Sequence, residues 1–97
     1  METKDLVIQW AEDRNLIKGS SPQAQMMKLV EELGELANGI ARGDSALIED
    51  SIGDVRVVIT ILAKQLGFDD DICFQHAYNE IKDRKGKMVD GVFVKEV

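Results

Sequence analysis

The sequence predicts an all-α fold: a four-helix protomer of an oligomeric helical bundle, with a short extended C-terminal tail. Three observations carry that expectation. Apolar residues recur at three-and-four spacing through most of the chain, glycine-containing breaks divide the pattern into four segments, and one segment is apolar on nearly every side. The chain has 97 residues, 44% of them hydrophobic, which is enough for one small domain and not for two cores. A core of this size is thin, and a further interface would strengthen it.

The first helix is expected from about Thr3 to Asn15, with Leu6, Val7 and Trp10 on one side, before Gly19, Ser20, Ser21 and Pro22 break the pattern. Ser20 with Gln23 has capping-box spacing, and Pro22 is tolerated in a first turn. The second helix then carries Met26, Leu29, Val30, Leu33, Leu36, Ala37 and Ile40, and Arg42 with Gly43 closes it. Asp44 or Ser45 caps a third helix that runs to about Leu66. Its half from Val55 to Leu66 is apolar on nearly every side, so burial by a partner subunit is expected. Gly67 ends it, one of Asp69, Asp70 and Asp71 caps a fourth helix reaching about Lys85, and Phe74, Ala77, Tyr78 and Ile81 form its apolar face. Val92, Phe93 and Val94 after Asp90 and Gly91 read as the second of two extended pieces around a turn, because Asp-Gly suits a two-residue hairpin.

Charge removes several function classes. Twelve Lys and Arg stand against 18 Asp and Glu, a net charge of −6. Phosphate neutralisation drives general nucleic-acid binding, so neither nucleic acid nor an acidic membrane surface is an expected partner. The N-terminal segment has charges scattered through it and does not resemble a secretory signal, and no run approaches the ~20 apolar residues of a membrane span, so a cytoplasmic protein is expected. The single cysteine, Cys73, and the single histidine, His76, provide no set of soft ligands, and any metal would be held by oxygen. A surface or packing role is expected for His76, a buried packing role for Cys73, and core packing, ahead of stacking on a base, for Trp10 and Tyr78.

The acidic residues are unevenly placed. At ~100° per residue Glu31, Glu32 and Glu35 share one sector of the second helix. Asp50, Ser51 and Asp54 repeat the spacing on the third, with Gly34 and Gly53 at equivalent positions that would allow close helix approach. If the two helices pack antiparallel, the clusters face each other, and facing carboxylates repel unless a proton or cation neutralises them. Magnesium suits such a donor set, with manganese as a substitute. The plainer reading is a solvated helix face on which Lys28 pairs with Glu31 or Glu32. A second signal is the basic run Lys82, Arg84, Lys85 and Lys87, which either complements a helix C-terminus or receives phosphates.

The stretch Gln25, Lys28, Leu29, Glu31, Glu32, Leu33, Gly34, Glu35, Leu36, followed by Ile52, Gly53, Asp54 and Val55, resembles the MazG-like nucleotide pyrophosphohydrolases of the all-alpha NTP pyrophosphatase superfamily. The likeness spans roughly Trp10 to Lys87. It implies one domain over residues 1–97, helical over about 3–86 with a tail over about 87–97, assembled as a homodimer or homotetramer. It also implies magnesium-dependent hydrolysis of a nucleoside triphosphate to monophosphate and pyrophosphate. Carried over by position, Glu32 and Glu35 match the first acidic pair and Asp54 the last residue of the second. These three would be metal ligands, with Asp50 or Glu31 as a further ligand or as the base that accepts a proton from water. Lys28, Asn79, Lys82, Arg84 and Lys85 would bind substrate. Ser51 departs from the family pattern, standing where a Glu is usual, and Asp50 one residue earlier would have to supply the missing carboxylate. Two alternatives stay open: a non-hydrolytic nucleotide- or protein-binding module with a degenerate metal site, and an enzyme like phosphoribosyl-ATP pyrophosphohydrolase.

Overall fold

The computed structural model describes residues 1–96. Five helices precede a hairpin: α1 (Thr3–Asp13), α2 (Leu16–Gly19), α3 (Pro22–Arg42), α4 (Ser45–Gln65), α5 (Asp70–Ile81), β1 (Gly86–Val89) and β2 (Val92–Lys95). The four helices expected from periodicity are all present, and the additional one is the four-residue α2. Asn15, in the left-handed region at φ 58°, ends the first pattern early and starts that extra turn.

Local chemistry explains the boundaries. Ser21, and not Ser20, caps α3: its hydroxyl accepts from the Ala24 N–H at 3.1 Å, directly ahead of Pro22 in the first turn. Ser20 instead accepts from the Gln25 side-chain amide at 3.0 Å. Gly43 takes φ 65° at the end of α3, a conformation glycine adopts without penalty, and the Asp44 carboxylate then accepts from the Leu47 N–H at 3.1 Å to start α4. Asp69 caps α5, which stops at Ile81 and not near Lys85. The residues beyond turn into the hairpin, where Val89 pairs with Val92 and both Asp90 (φ 50°) and Gly91 (φ 81°) have positive φ, as a two-residue turn matching the strand twist requires. The extended tail thus begins at Gly86, inside the range expected to be helical. Val97, the end of that tail, lies outside the described residues.

The two-residue link between α3 and α4 forces an antiparallel pair, and this pair is the body of the molecule. Its tightest point is Gly39, which is buried, and where an added Cβ would meet Ile48 Cγ1 at 3.1 Å and the Ile48 backbone nitrogen at 3.2 Å. Gly34 and Gly53 do not have the expected role: an added Cβ at either meets nothing within 4 Å. The small residue that admits close approach is nearer the turn, where the helices have had least length over which to diverge.

Ala11, Leu29, Val58 and Ile61 form the core, joined by buried Gln25, Ser51 and Thr60. α1 lies against α4 and is tied to the start of α5 by Lys4, whose ammonium is 3.0 Å from Asp69 and 2.7 Å from Asp71. These partners hold the Lys4 pKa above its ordinary value and the Asp69 carboxyl below its own. The Thr60 hydroxyl donates to Asp70 at 2.9 Å, and the Gln65 amide donates to the Leu16 carbonyl at 3.2 Å, so α5 and α2 are both pinned to α4 by polar bonds.

Much apolar surface is left uncovered. The radius of gyration is 16.1 Å, against roughly 12–13 Å for a compact globule of this length. The accessible surface is 7505 Å², against about 5,500 Å² for a typical monomer of this length. α5 buries none of its residues, and Ile72, Phe74, Tyr78 and Ile81 on it are exposed, as is Cys73, against the packing role expected for Cys73 and Tyr78. Ile59, and Leu66 at its C-terminal cap, leave the end of α4 open where its sequence predicts burial, and Ile52 is exposed nearer its start. Among the described residues, no helix is long and apolar enough to cross a membrane.

The Gly39 contact yields a prediction. Gly39→Ala should destabilise the fold by about 1–3 kcal/mol, because the Ile48 backbone cannot move aside without shifting α4. Gly34→Ala, in a helix interior with open space, should stabilise by about 0.5–1 kcal/mol. Urea unfolding of the two variants beside wild type gives both differences.

Candidate active site

The two acidic clusters are brought together. With 3.6 residues per turn, Glu31, Glu32 and Glu35 project from one side of α3, and Asp50, Ser51 and Asp54 from the facing side of α4. Glu31, Glu32, Glu35, Asp50 and Asp54 line one groove of about 340 Å³, together with Lys28, Leu47 and Ser51. Ser51 is its most deeply buried member, 1% exposed, so the residue that departs from the expected acidic pattern forms the floor. Asp50 and Glu31 are exposed, and Glu32 and Asp54 are half-buried.

Electrostatics follow from that crowding. Burial pushes the Asp54 carboxyl above its ordinary pKa, and the nearby negative charges of Asp50 and Glu32 push it further, with a protonated Asp54 able to donate to Glu32. Lys28 partly offsets the repulsion. Its ammonium is 3.4 Å from Glu32 and 3.6 Å from Glu31, and these two carboxylates hold its pKa above the usual lysine value. Lys28 therefore pairs with both glutamates, as the plainer reading of the sequence expects, and does so inside the groove.

The donor set is all oxygen and predominantly anionic, which fits a hard divalent cation. Glu32, Glu35, Asp50 and Asp54 are the side chains that could hold one. In the groove as it stands they are not drawn close: among the described residues, no group of three or more His, Cys, Asp or Glu is gathered tightly enough to hold a metal ion. Facing carboxylates repel one another, and a bound cation would offset that repulsion.

The expected substrate-binding residues divide. Lys28 lines the groove, whereas Asn79, Lys82, Arg84 and Lys85 do not. Asn79 accepts from the Gln75 side-chain amide on exposed α5, and the three basic residues are exposed in and just after its end. Within one chain, the basic run is not assembled with the carboxylates, because α5 packs on α4 and is tied to α1, away from α3. His76 is likewise on the surface, 3.3 Å from Glu80. Residues not expected at the site adjoin it: Trp10, Gln25, Val57 and Ile61 line a neighbouring cavity that also includes Lys28 and Glu31. Gln25 was legible in principle, since residues 25, 28 and 32 form one three-and-four row on α3. The α1 contribution was legible only as an aromatic ring able to stack on a base, with core packing the favoured role.

Comparison with known proteins gives the family. The model of the MazG nucleotide pyrophosphohydrolase domain matches residues 20–89. The chain belongs to the MazG family. The matched span contains both acidic clusters, α5 and β1, and leaves out α1. A curated relative, described as an uncharacterized 18.2 kDa protein in the rep-hol intergenic region of Haemophilus phage HP1 (strain HP1c1), is 57% identical over 61 residues. The aligned part covers 63% of this chain and 37% of the phage protein, so the MazG chain spans little more than a third of that relative's length. No solved structure matches.

The raised Asp54 pKa makes this MazG groove a source of instability when no cation is present. A carboxyl whose folded pKa exceeds its unfolded value of 3.8 binds more protons when folded, so stability falls as pH rises through the folded pKa. Thermal melts in chelator should show wild type and Asp54→Asn alike near pH 3, with the variant melting about 2–4 °C higher at pH 7. Magnesium should raise the wild-type melting temperature at pH 7 and leave that of the variant nearly unchanged.

Proposed function

We propose that the chain is a magnesium-dependent nucleoside triphosphate pyrophosphohydrolase, acting on a ribo- or deoxyribonucleoside triphosphate to give the monophosphate and pyrophosphate. The observation that carries this reading is the single groove lined by Glu32 and Glu35 from α3 and Asp50 and Asp54 from α4, in a chain of the MazG family. Glu32, Glu35, Asp54 and Asp50 would hold the metal, with manganese as a substitute. When bound, it would supply positive charge to the phosphate oxygens and lower the pKa of water.

The chain's own groups do the rest. Asp50 or Glu31, exposed at the groove, accepts a proton from water at a carboxylate oxygen. The water oxygen bonds to one phosphorus of the α–β anhydride, and the bridging P–O bond breaks on the pyrophosphate side or the monophosphate side according to which phosphorus is attacked. Lys28 exchanges its pairing with Glu31 and Glu32 for a phosphate oxygen once the carboxylates are otherwise neutralised. No covalent nucleophile is needed, and exposed Cys73 and His76 have no part in the groove.

We further propose a homodimer or homotetramer. The excess of roughly 2,000 Å² over a typical monomer surface exceeds the roughly 800 Å² per partner of a standard interface. Lys82, Arg84, Lys85 and Asn79, absent from their own chain's groove, would then reach the groove of a neighbouring copy and meet the polyphosphate there. Sedimentation of the purified protein should give two or four chain masses, and a monomer at micromolar concentration would contradict the proposal.

The activity test is release of pyrophosphate and monophosphate from a panel of nucleoside triphosphates, with magnesium, manganese or chelator. Glu35→Gln removes a charge at nearly constant volume and should cut turnover at least about 100-fold while the circular dichroism stays helical. Wild-type turnover by that variant would sink the assignment. The competing reading, a binding module without hydrolysis, draws on Ser51. Because this side chain is 1% exposed, Ser51→Glu must force a larger charged group into the helix interface, so a gain of activity there would come with a loss of stability.

A further inference from the structure

We propose that the cavity between α1, α3 and α4 that adjoins the carboxylate groove is a nucleobase subsite, with Trp10 as its stacking platform. The inference rests on the proposed function and extends it to the base. The cavity has a volume of about 480 Å³, within the range of small-molecule pockets. Lys28 and Glu31 belong to the lining of both this cavity and the groove, so a ligand with its phosphates at the carboxylates has its remaining end beside them.

The lining suits a flat aromatic ring. Trp10 is 45% exposed, against the core role its helix position predicts, and Leu16, Val57, Val58 and Ile61 supply apolar walls. The Arg14 guanidinium stacks over the indole, 4.4 Å from its centroid, and fixes the ring as a platform. Gln25 adds one neutral polar group, held by its bond to Ser20, in keeping with pockets that combine apolar walls with few polar anchors. Bases stack on such indoles irrespective of sequence, since each has a π-face.

Two other cavities fit less well. The one on the opposite flank, about 530 Å³, shares Asp50 and Asp54 with the groove, but its walls include Lys4, Glu49 and Arg56 and no aromatic ring. The cavity of about 780 Å³ between α4 and α5 is apolar yet shares no residue with the groove. α1 lies outside the span that the family model matches, so Trp10 is not among the residues that the match covers.

Trp10 is the only tryptophan, so its emission reports this cavity and nothing else. The full chain with magnesium would be titrated with an α,β-methylene nucleoside triphosphate, which resists hydrolysis, and with inorganic tripolyphosphate, which has no base. Calorimetry would measure binding of each. The expected result is saturable quenching of Trp10 by the analogue, none by tripolyphosphate, and a fall of about tenfold or more in analogue affinity relative to tripolyphosphate for Trp10→Ala, largely recovered by Trp10→Phe. Analogue binding that leaves the emission unchanged, or a Trp10→Ala variant that weakens both ligands equally, overturns the subsite while leaving the hydrolase reading in place. Emission that shifts with protein concentration alone would mean that a second copy covers the indole, and overturns it too. If neither ligand binds, the hydrolase reading falls and the subsite falls with it.

Discussion

Everything in this chain depends on the close antiparallel contact between α3 and α4. A two-residue link, with Gly43 in the left-handed region and Asp44 as the next cap, leaves the helices no other way to run. Gly39 then lets the Ile48 backbone approach to a distance that any side chain would oppose. Because the pair is tight near the turn, the residues two and three turns away are held face to face. Those residues are Glu32 and Glu35 on one helix and Asp50 and Asp54 on the other. Burial of Leu29, Val58 and Ile61 on the same pair supplies a favourable term that offsets the repulsion of like charges.

That compromise has a recognisable form. A groove selected for stability alone would not place four carboxylates opposite one another and raise the pKa of Asp54 by burial and repulsion. Lys28 reduces the cost without removing it, since its ammonium reaches only the α3 carboxylates. The groove therefore retains unmatched negative charge, which a divalent cation and a polyphosphate would together neutralise. Ser51 at its floor lowers that charge by one relative to an all-acidic pattern, and Asp50 one residue away brings a carboxylate back to the same groove.

A second constraint is the thinness of the core. Few side chains are fully buried, α5 lies on α4 with its apolar residues open, and the hairpin exposes Met88, Val92, Phe93 and Val94. Surface of this kind is costly in water, and a neighbouring copy is the partner proposed to cover it. The same geometry separates the basic run from the carboxylates of its own chain, so the shortage of apolar cover and the shortage of cations at the groove have one proposed remedy.

The residues by themselves determined the helical class, caps at Asp44 or Ser45 and within Asp69 to Asp71, the turn at Gly43, the Asp-Gly hairpin and the acidic sectors on two successive helices. Each of these is a local matter of spacing, φ preference or side-chain reach, and local rules suffice for them. Only the tertiary structure decided which glycine admits close packing, that Ser51 is the buried floor of the groove, that Lys82, Arg84 and Lys85 fall outside it, and that Trp10 borders a cavity beside it. These depend on how far helices diverge from a shared turn and on which element covers which, quantities that no window of sequence contains. Asn15 shows the boundary between the two: its left-handed backbone adds a short helix that periodicity does not signal, and that bend is what brings Leu16 beside Trp10 at the edge of the site.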